Sequence, residues 1–331
     1  MIIVTGGAGF IGSAIVWKLN QLGNDNILIV DNLGTDEKWK NLVPLKFHDY
    51  MEKDEFLNLV INDKLGKSLS SGKNRVEAII HMGACSSTTE RDATFLIRNN
   101  FEYTKHLAIA AAGEGTRFIY ASSAATYGDG SNGFDDNEKE IDRLRPLNMY
   151  GYSKQLFDQW AFRHGMLDKI VGLKYFNVFG PNEYHKGDMR SVVLKGFQQI
   201  SSSGKMNLFK SYRKEYGDGD QVRDFLYVKD AVDMTLFFLE KRNSGGLYNL
   251  GSGAANKWNA LAAAIFKALG QTPVVEYVEM PETIREKYQY YTRADISKLR
   301  REGFTRPLMS LEDSVEDYVK NYLATEKRLG E

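Results

Sequence analysis

The sequence predicts an α/β fold built around a doubly wound parallel sheet. One observation is a short apolar strand at residues 2–5 that runs into a glycine-rich turn and then into a helix. The other is the alternation of nearly continuous apolar strands with helical patterns through the first half of the chain. Strands that are apolar on both faces need helices on both sides, and this order of elements is typical of a parallel sheet with crossover helices.

The turn after the first strand has the glycine spacing of a Rossmann-type dinucleotide site. Gly6 lets the backbone leave the strand sharply, Gly9 allows close approach to a pyrophosphate, and Gly12 lets the helix lie close to the sheet. The helix start would offer unpaired N–H groups to phosphate. A second apolar strand at residues 26–30 leads to Asp31, whose carboxylate could accept hydrogen bonds from the adenosine ribose. A tight turn without a ligand is the alternative, which this context disfavours.

The other elements of the first half follow from the spacing of apolar residues. We predict helices at residues 11–22, 54–61 and 94–112 and within 146–165, strands at 78–81, 117–121 and 170–178, and a polar loop at 65–75. Beyond residue 181 the loops lengthen and the strands shorten, which predicts a smaller C-terminal α/β substrate lobe. The expected division is a dinucleotide-binding domain at 1–175 with returns near 222–252, and a substrate lobe at 176–221 and 253–331, with helices near 295–301 and 311–323.

Composition excludes several classes of protein. The 331 residues include 43 basic and 43 acidic side chains, so no broad field favours nucleic acid or a membrane surface. No apolar run approaches the length of a membrane span, and a strand at residue 2 leaves no space for a signal peptide. The single cysteine, Cys85, excludes an intramolecular disulfide framework. We therefore expect a cytoplasmic protein with no nucleic-acid or membrane partner.

Cys85 and the histidines are not expected to carry chemistry of their own. A nucleophilic role for Cys85 is disfavoured because no histidine accompanies it in its motif, and a small side chain packed at a strand end is the simpler interpretation. The five histidines lack the spacing of metal ligands. We expect no metal site.

Tyr150 and Lys154 lie four residues apart in MYGYSK, so a helix there would present both on one face. A phenol ordinarily loses its proton at about pH 10. A neighbouring ammonium and a positively charged nicotinamide would lower that pKa, so the tyrosine could remove a hydroxyl proton as hydride leaves a substrate. Ser123, at the expected tip of the fifth strand, could hydrogen-bond the same oxygen. The alternative, an ordinary amphipathic helix, is disfavoured by the glycine turn and the Ser-Ser strand end.

With these residues in place, the chain resembles the extended short-chain dehydrogenase/reductases that act on nucleotide sugars, the NAD-dependent epimerase/dehydratase superfamily. The similarity is carried by the glycine turn, HMGA at 81–84, the Ser/Tyr/Lys set, YFNVFGP at 175–181 and RDFLYVKD at 223–230. Dehydratases of this superfamily resemble one another in an acidic pair beside the strand-end Ser or Thr. Here Ala124 and Ala125 follow Ser123, so water elimination lacks its acid and base.

A narrower resemblance is to the ADP-heptose 6-epimerases of this superfamily. It rests on GACSSTTE at 83–90, ASSAATYG at 121–128, PLNMYGYSKQLFD at 146–158 and YFNVFGPNEYHKGDM at 175–189. The resemblance implies epimerisation at C6″ of ADP-D-glycero-β-D-manno-heptose through a transient 6″-ketone, with tightly bound NADP, for the inner core of bacterial lipopolysaccharide. It also implies a homo-oligomer, a pentamer.

The same resemblance implies roles for individual residues. Tyr150 would be one acid/base, with Lys154 as its helper and a ribose contact. Lys186 would be the second base, on the opposite face of the substrate. An inversion by oxidation and re-reduction needs a proton donor on each face. From the residues alone, Lys186 is a lysine in a glycine-containing loop, and a solvated surface charge is the simpler interpretation.

Two features of the sequence disagree on whether the cofactor is NAD or NADP. Asp31 favours NAD, because a carboxylate repels a 2′-phosphate. The resemblance implies NADP, with the phosphate held by Lys38 and Lys53 and with Asn32 beside it, so we expect NADP and allow NAD. Further cofactor contacts implied by the resemblance are Phe10, Ile11, Met82, Gly83, Ala84, Cys85, Ser86, Asn99 and Val178. Met82 departs from the Glu that is frequent in the family.

Substrate contacts implied by the resemblance are Asn177, Asp188, Lys195, Phe209, Ser211, Arg223 and Tyr288. Arg223 could bind the ADP pyrophosphate bidentately, and a salt bridge with Asp224 is the alternative. Asp188 stands where the family has Ser and Lys195 where it has His, and the loop at 211–221 is longer than expected.

Two other functions stay open at this point. One is a different nucleotide-sugar epimerase or reductase, such as a hexose 4-epimerase, which Lys186 would distinguish. The other is a catalytically silent cofactor sensor, a class that usually loses the Tyr or the Lys of the active site, and Tyr150 and Lys154 are both present.

Overall fold

A computed structural model describes residues 1–62, 75–285 and 288–331, and for residues 283 and 284 it describes the backbone only. Its centre is a seven-stranded sheet with the strand order β11-β6-β5-β4-β1-β2-β3, and every pairing in it is parallel. The predicted doubly wound parallel sheet is therefore confirmed. The polar loop predicted at 65–75 falls outside the described residues except for Arg75.

The strands in chain order are β1 Ile2–Thr5, β2 Ile27–Asp31, β3 Asp49–Glu52, β4 Ala78–His81, β5 Arg117–Ser123, β6 Ile170–Tyr175, β7 Asn177–Phe179, β8 Met206–Phe209, β9 Val222–Arg223, β10 Phe225–Tyr227, β11 Gly246–Leu250, β12 Asn256–Lys257 and β13 Val275–Val278. The α-helices are α1 Phe10–Gln21, α2 Lys53–Ile61, α3 Ala93–Leu96, α4 Tyr103–Glu114, α5 Met149–Arg163, α6 Val192–Ser203, α7 Val228–Glu240, α8 Trp258–Ala268, α9 Glu282–Arg285, α10 Ser297–Glu302 and α11 Leu311–Tyr318.

The central strands are buried along their whole length, because helices cover the sheet on both faces. Val4 and Ile29 belong to a core shared with α1, α7 and α8. Ile3 and Val30 point to the other face and pack with α2, α4 and α5. Since parallel strands all end at the same edge, the loops after β1, β2, β4, β5 and β6 meet there.

Two predicted elements are interrupted. The strand expected at 170–178 breaks at Phe176, whose backbone N–H donates to Leu250 O at 2.9 Å, and β7 then pairs with β10 outside the main sheet. The long helix expected at 94–112 contains a π-helical turn at Ile97–Glu102. Within that turn, the Asn100 carboxamide accepts from Cys85 N and donates to Cys85 O, at 2.9 and 3.0 Å. Tertiary contacts of this kind are not visible in apolar spacing.

The glycine turn is packed too tightly for side chains. Gly6 has a φ of +65°, and a Cβ there would lie 2.7 Å from the backbone nitrogen of Gly83, on the loop after β4. A Cβ on Gly12 would lie 2.0 Å from the carbonyl oxygen of Gly6. These glycines let the first turn of α1, the end of β1 and the loop after β4 come together.

The second half of the chain adds smaller sheets beside the main one. β8 and β13 pair in parallel, and β9 and β12 pair antiparallel. β11 instead joins the main sheet as its edge strand beside β6. Within residues 1–62, 75–285 and 288–331, no helix combines the length and apolar character needed to cross a membrane.

Replacing Gly12 with Ala should destabilise the protein and weaken cofactor retention, because the new methyl group would overlap Gly6 O and push α1 off the turn. We expect a cost of about 1–3 kcal/mol in the free energy of unfolding. Gly113→Ala is the matched control: this exposed glycine of α4 has open space around its Cβ position and should be neutral or stabilising by up to about 1 kcal/mol. Equal thermal-denaturation curves for the two variants would contradict this account of the turn.

Candidate active site

Tyr150, Lys154 and Ser123 come together at the carboxyl edge of the sheet. The Asn148 side chain caps α5 by accepting from Gly151 N at 2.8 Å, which places Tyr150 in the first turn of the helix and Lys154 one turn later. Ser123 is the last residue of β5, and its hydroxyl accepts from Ala125 N at 3.1 Å. The order of strand end and helix start is the one that the sequence predicted.

Lys154 is a buried cation with a backbone acceptor. Its side chain is 5% exposed, and its Nζ donates to Ala121 O at 2.8 Å. Burial lowers the pKa of Lys154 to about 8, although the Asp158 carboxylate acts in the opposite direction. Burial also raises the pKa of the Tyr150 phenol, which a hydrogen bond with Ser123 partly offsets. Without a further positive charge, Tyr150 therefore remains protonated at neutral pH.

Lys186 faces the same cavity from a different element. It lies in the 3₁₀ segment Tyr184–Met189, and its Nζ is 5.0 Å from the centre of the Phe10 ring at the start of α1. A cavity of about 350 Å³ is lined by Tyr150 and Ser123 as well as by Lys186. Burial lowers the pKa of Lys186, and the nearby Glu183 carboxylate opposes that effect. Lys186 is half-buried and differs from the solvated lysine that the residues alone suggested.

Glu183 and Asn182 hold the Lys186 segment, and the sequence analysis missed both. Glu183 is fully buried and accepts from Ser191 N and Ser191 Oγ at 2.5 and 2.6 Å. Asn182 has a φ of +78° and donates through Nδ2 to Ser13 Oγ of α1 at 2.9 Å. An Asn directly after Gly-Pro is compatible with left-handed backbone, and this was the one feature of the sequence that could have pointed to Asn182.

The predicted adenosine side of the cofactor site is a separate cavity of about 440 Å³. Lys38 Nζ lies 2.9 Å from the Asp31 carboxylate, and Lys53 Nζ donates to Asn99 Oδ1 at 3.0 Å. The predicted cofactor contacts that line this cavity are Gly6, Asp31, Asn32, Lys38, Lys53, Gly83, Ala84, Cys85 and Asn99. Five further lining residues were not predicted: Thr5, Val30, Asp36, Phe95 and Tyr103.

The start of α1 fits a dinucleotide phosphate. Its N-cap, Gly9, has no side chain to accept from the first-turn amides, and no acidic residue lies in that turn. Phe10, Ile11, Ser86 and Val178 line the Tyr150 cavity. Met82 lines neither cavity, and its thioether accepts a hydrogen bond from the Tyr175 hydroxyl at 3.5 Å. Among the described residues, no cluster of His, Cys, Asp and Glu could hold a metal ion.

A larger cleft of about 780 Å³ opens beside Tyr150 and Ser123 and reaches Arg223 and Tyr288. The Arg223 guanidinium stacks on the Tyr288 and Trp258 rings at 4.9 and 5.7 Å. Asn177 lines both this cleft and the Tyr150 cavity. The cleft is also lined by residues that were not predicted, including Thr88, Thr89, Glu90, Arg91, Asn148, Met149, Gln289 and Thr292.

The other predicted substrate residues do not line these cavities. Lys195 Nζ donates to the backbone oxygen of Asp188 at 2.6 Å. Ser211 N donates to an Asp218 carboxylate oxygen at 2.7 Å within the loop at 211–221. Phe209 packs edge-on against Tyr288, with ring centres 6.4 Å apart. Their roles toward substrate stay predictions.

Asp224 is occupied by backbone groups and is not the partner of Arg223. Its buried carboxylate accepts from the backbone N–H groups of Ser252, Gly253 and Ala294, at 2.6 to 3.0 Å. The guanidinium of Arg223 donates to Val222 O at 2.9 Å, and Arg223 lines the cleft. The Asp224 carboxylate therefore holds three backbone N–H groups in place, whereas Arg223 forms part of the cleft.

Substituting these neighbours should separate stability from ligand binding. Asp224→Ala leaves three buried N–H groups without an acceptor, which we expect to cost about 3 kcal/mol or more in unfolding free energy. Arg223→Ala loses ring stacking of about 1 kcal/mol and should mainly weaken the binding of ADP. Thermal denaturation and ADP titration of both variants make the comparison. A larger stability loss for Arg223→Ala than for Asp224→Ala would contradict this assignment.

Known proteins resemble this chain along almost its whole length. Residues 2–251 match the NAD dependent epimerase/dehydratase family. The chain is 54% identical over 324 residues to ADP-L-glycero-D-manno-heptose-6-epimerase of Nitratidesulfovibrio vulgaris, with 98% of each chain covered. It is 48% identical to the enzyme of the same name from Fusobacterium nucleatum, covering 98% of this chain and 99% of that one.

Similarity in structure agrees with the sequence comparison. The fold matches the crystal structure of Helicobacter pylori ADP-L-glycero-D-manno-heptose-6-epimerase with a TM-score of 0.80, at 26% identity, covering 98% of this chain and 96% of that one. The chain therefore belongs to the NAD dependent epimerase/dehydratase family and, within it, to the ADP-L-glycero-D-manno-heptose-6-epimerases.

Proposed function

We propose that the protein converts ADP-D-glycero-β-D-manno-heptose into its L-glycero epimer by inverting C6″. The observation that carries the proposal is that Tyr150 and Lys186, which come from different elements, line one cavity. An inversion through a ketone needs proton transfer at the same oxygen on both faces, and two separate groups supply it. The names of the relatives agree with this reaction.

The residues around the first proton donor divide the work. Tyr150 removes the proton from the C6″ hydroxyl, and Ser123 hydrogen-bonds the oxygen that becomes the ketone. Lys154, protonated below its pKa of about 8, stabilises the phenolate. After the ketone has turned, Lys186 donates a proton to the same oxygen from the other side, and the oxygen becomes a hydroxyl again. Bound nicotinamide cofactor would supply hydride uptake from C6″ and its return to the same carbon.

Substrate binding is assigned to the cleft that continues from this cavity. Arg223, held flat by the Tyr288 and Trp258 rings, is the proposed clamp for the ADP pyrophosphate. Asn177 lies where the cleft and the Tyr150 cavity meet, so it is the proposed contact to the sugar. This cleft, of about 780 Å³, is the proposed site for both the nucleotide and the heptose.

NADP is the proposed cofactor. Lys38 already neutralises Asp31 in the structure, which removes the repulsion that Asp31 alone would exert on a 2′-phosphate. Lys53 lines the same cavity and supplies a second positive charge. The family resemblance further supports a homo-oligomer, a pentamer, that supplies heptose for the lipopolysaccharide inner core.

The reaction can be tested without added cofactor. We would incubate the purified protein with ADP-D-glycero-β-D-manno-heptose and follow the C6″ configuration by NMR. Formation of the L-glycero epimer is expected, because a retained cofactor is regenerated in every turnover. No conversion, even after NADP and NAD are supplied, would reject this substrate, and UDP- and GDP-hexoses would then be assayed in the same way.

Tyr150→Phe and Lys186→Ala should each lower turnover at least about 100-fold while the cofactor stays bound, because each variant removes one proton-transfer group. Tyr152→Phe is the matched control, since this exposed tyrosine of the same helix lies outside the cavities described. Steady-state kinetics and the absorbance of retained cofactor are measured together. A Lys186→Ala variant with full epimerase activity would remove this residue from the mechanism.

Lys38→Met should reduce affinity for NADP by about 10–100-fold, because it removes one charge-assisted contact and leaves the Asp31 charge near the phosphate without its cationic partner. Affinity for NAD should change little. Lys40→Met is the control: this lysine pairs with Glu37 at the surface and is expected to leave both affinities as they are. Titration of the cofactor-stripped proteins with each dinucleotide decides the matter, and an equal loss for NAD and NADP would contradict the phosphate assignment.

A further inference from the structure

A buried ion pair lies one turn beyond Lys154 on the same face of α5. Lys174 Nζ of β6 is 2.9 Å from Asp158 Oδ2 of α5, and the two side chains are 1% and 0% exposed. Transfer of two charges out of water is costly, and such a pair adds little net stability compared with apolar packing. Its position therefore invites a functional explanation.

Asp158 is fixed to the strand that carries Ser123. Its carboxylate accepts from the Tyr120 hydroxyl at 2.8 Å and from Ser122 Oγ at 2.6 Å, both on β5. Along α5, Tyr150, Lys154 and Asp158 follow one another at intervals of four residues, so they share the helix face that is turned toward β5. Asp158 thereby anchors this face to the strand.

Lys174 continues the connection to the turn after β5. Besides Asp158, its Nζ donates to Thr126 Oγ1 at 2.7 Å, and the Thr126 hydroxyl donates to Ser123 O at 2.8 Å. A continuous path of hydrogen bonds thus runs from the helix that carries Tyr150 and Lys154 to the residue that would contact the substrate oxygen. The side chains of Asp158, Lys174 and Thr126 on this path are buried and hydrogen-bonded, which makes its geometry rigid.

One member of this pair, Asp158, supplies the formal negative charge that acts on Lys154. On its own helix, Lys154 is followed by Asp158 and preceded by the neutral Tyr150. Cys85 and His81 face it from the loop after β4 and from β4 itself, and burial lowers the pKa of His81 to about 3, so this imidazole is neutral. Lys174 stands behind Asp158 on β6. Among these groups, Asp158 carries a negative charge and Lys174 carries the positive charge that offsets it.

We propose that Asp158 and Lys174 are positioning residues of the epimerase site. Their ion pair locks the Tyr150–Lys154 face against the Ser123 turn, and the Asp158 carboxylate that the pair holds in place favours the ionised state of Lys154 that the reaction uses. This inference rests on the proposed function for the role of Tyr150, but its electrostatic part concerns the protein alone.

The electrostatic part is tested by titration of Lys154 in the holoenzyme. Lysines labelled with ¹³C at Cε are followed by NMR, and the Lys154 signal is assigned by its loss in Lys154→Arg. Asp158→Asn should lower the pKa of Lys154 by about one unit, and Lys174→Met, which removes the cation paired with Asp158, should raise it. The double variant should fall between the two. Shifts in the same direction, or no shift, would overturn the proposal.

Controls separate this effect from a general loss of structure. Lys229→Met removes one member of the Lys229–Asp317 ion pair, which is partly exposed and lies on another part of the fold, and should leave the Lys154 titration unchanged.

If the single variants fail to fold, the Asp158→Asn/Lys174→Met double variant, which buries no unpaired charge, carries the test. It should fold and show kcat reduced about tenfold with unchanged KM, because the Ser123 turn has lost its anchor. Full kcat in the double variant would overturn the positioning role.

Thr126 gives a test that changes no charge. Thr126→Val breaks the path between Lys174 and Ser123 and should lower kcat without changing the Lys154 titration, and Thr126→Ser should restore kcat.

A wild-type protein that does not convert the heptose would reject the proposed function, while the NMR titration would still decide the electrostatic inference. An active wild-type protein with unshifted titrations would reject the inference and leave the proposed function intact.

Discussion

The site depends on a lysine ammonium that is held inside the protein by a backbone carbonyl. Lys154 is almost entirely buried, and its Nζ donates to Ala121 O on β5. A buried cation is tolerated when it is hydrogen-bonded and when charge of the opposite sign lies near, and Asp158 provides that charge from the next turn of the helix. The contact to Ala121 also fixes how α5 lies on the sheet, and hence where Tyr150 points.

The remaining geometry follows from parallel strands that end at one edge. The tight contact between Gly6 and Gly83 brings the loops after β1 and β4 together, and Ser123 ends β5 beside them. The break at Phe176 releases β7 from the sheet, so Asn177 and Val178 line the cavity instead of continuing β6. A strand interruption that looks like a defect in the sheet thus forms one wall of the site.

Much of this arrangement could be predicted from sequence because it is local. The glycine spacing, the acid at the end of β2 and the four-residue spacing of Tyr150 and Lys154 each depend on a single turn, strand end or helix face. The placement of Lys186 could not be derived that way, because Glu183, Asn182 and Ser191 hold its segment through contacts made only in the folded chain. A salt bridge between Arg223 and Asp224 was plausible because the two residues are adjacent. The Asp224 carboxylate instead accepts hydrogen bonds from backbone N–H groups that are distant in sequence.

The central claim is that oxidation and reduction of C6″ occur within one closed site, with proton transfer from both faces. Substrate carrying deuterium at C6″ tests this directly when the reaction runs in ordinary water and the product is examined by NMR and mass spectrometry. The account predicts that the L-glycero product keeps the deuterium at C6″, because the hydride that leaves this carbon returns to it. Loss of the label to solvent during epimerisation would contradict it and would indicate proton abstraction from carbon.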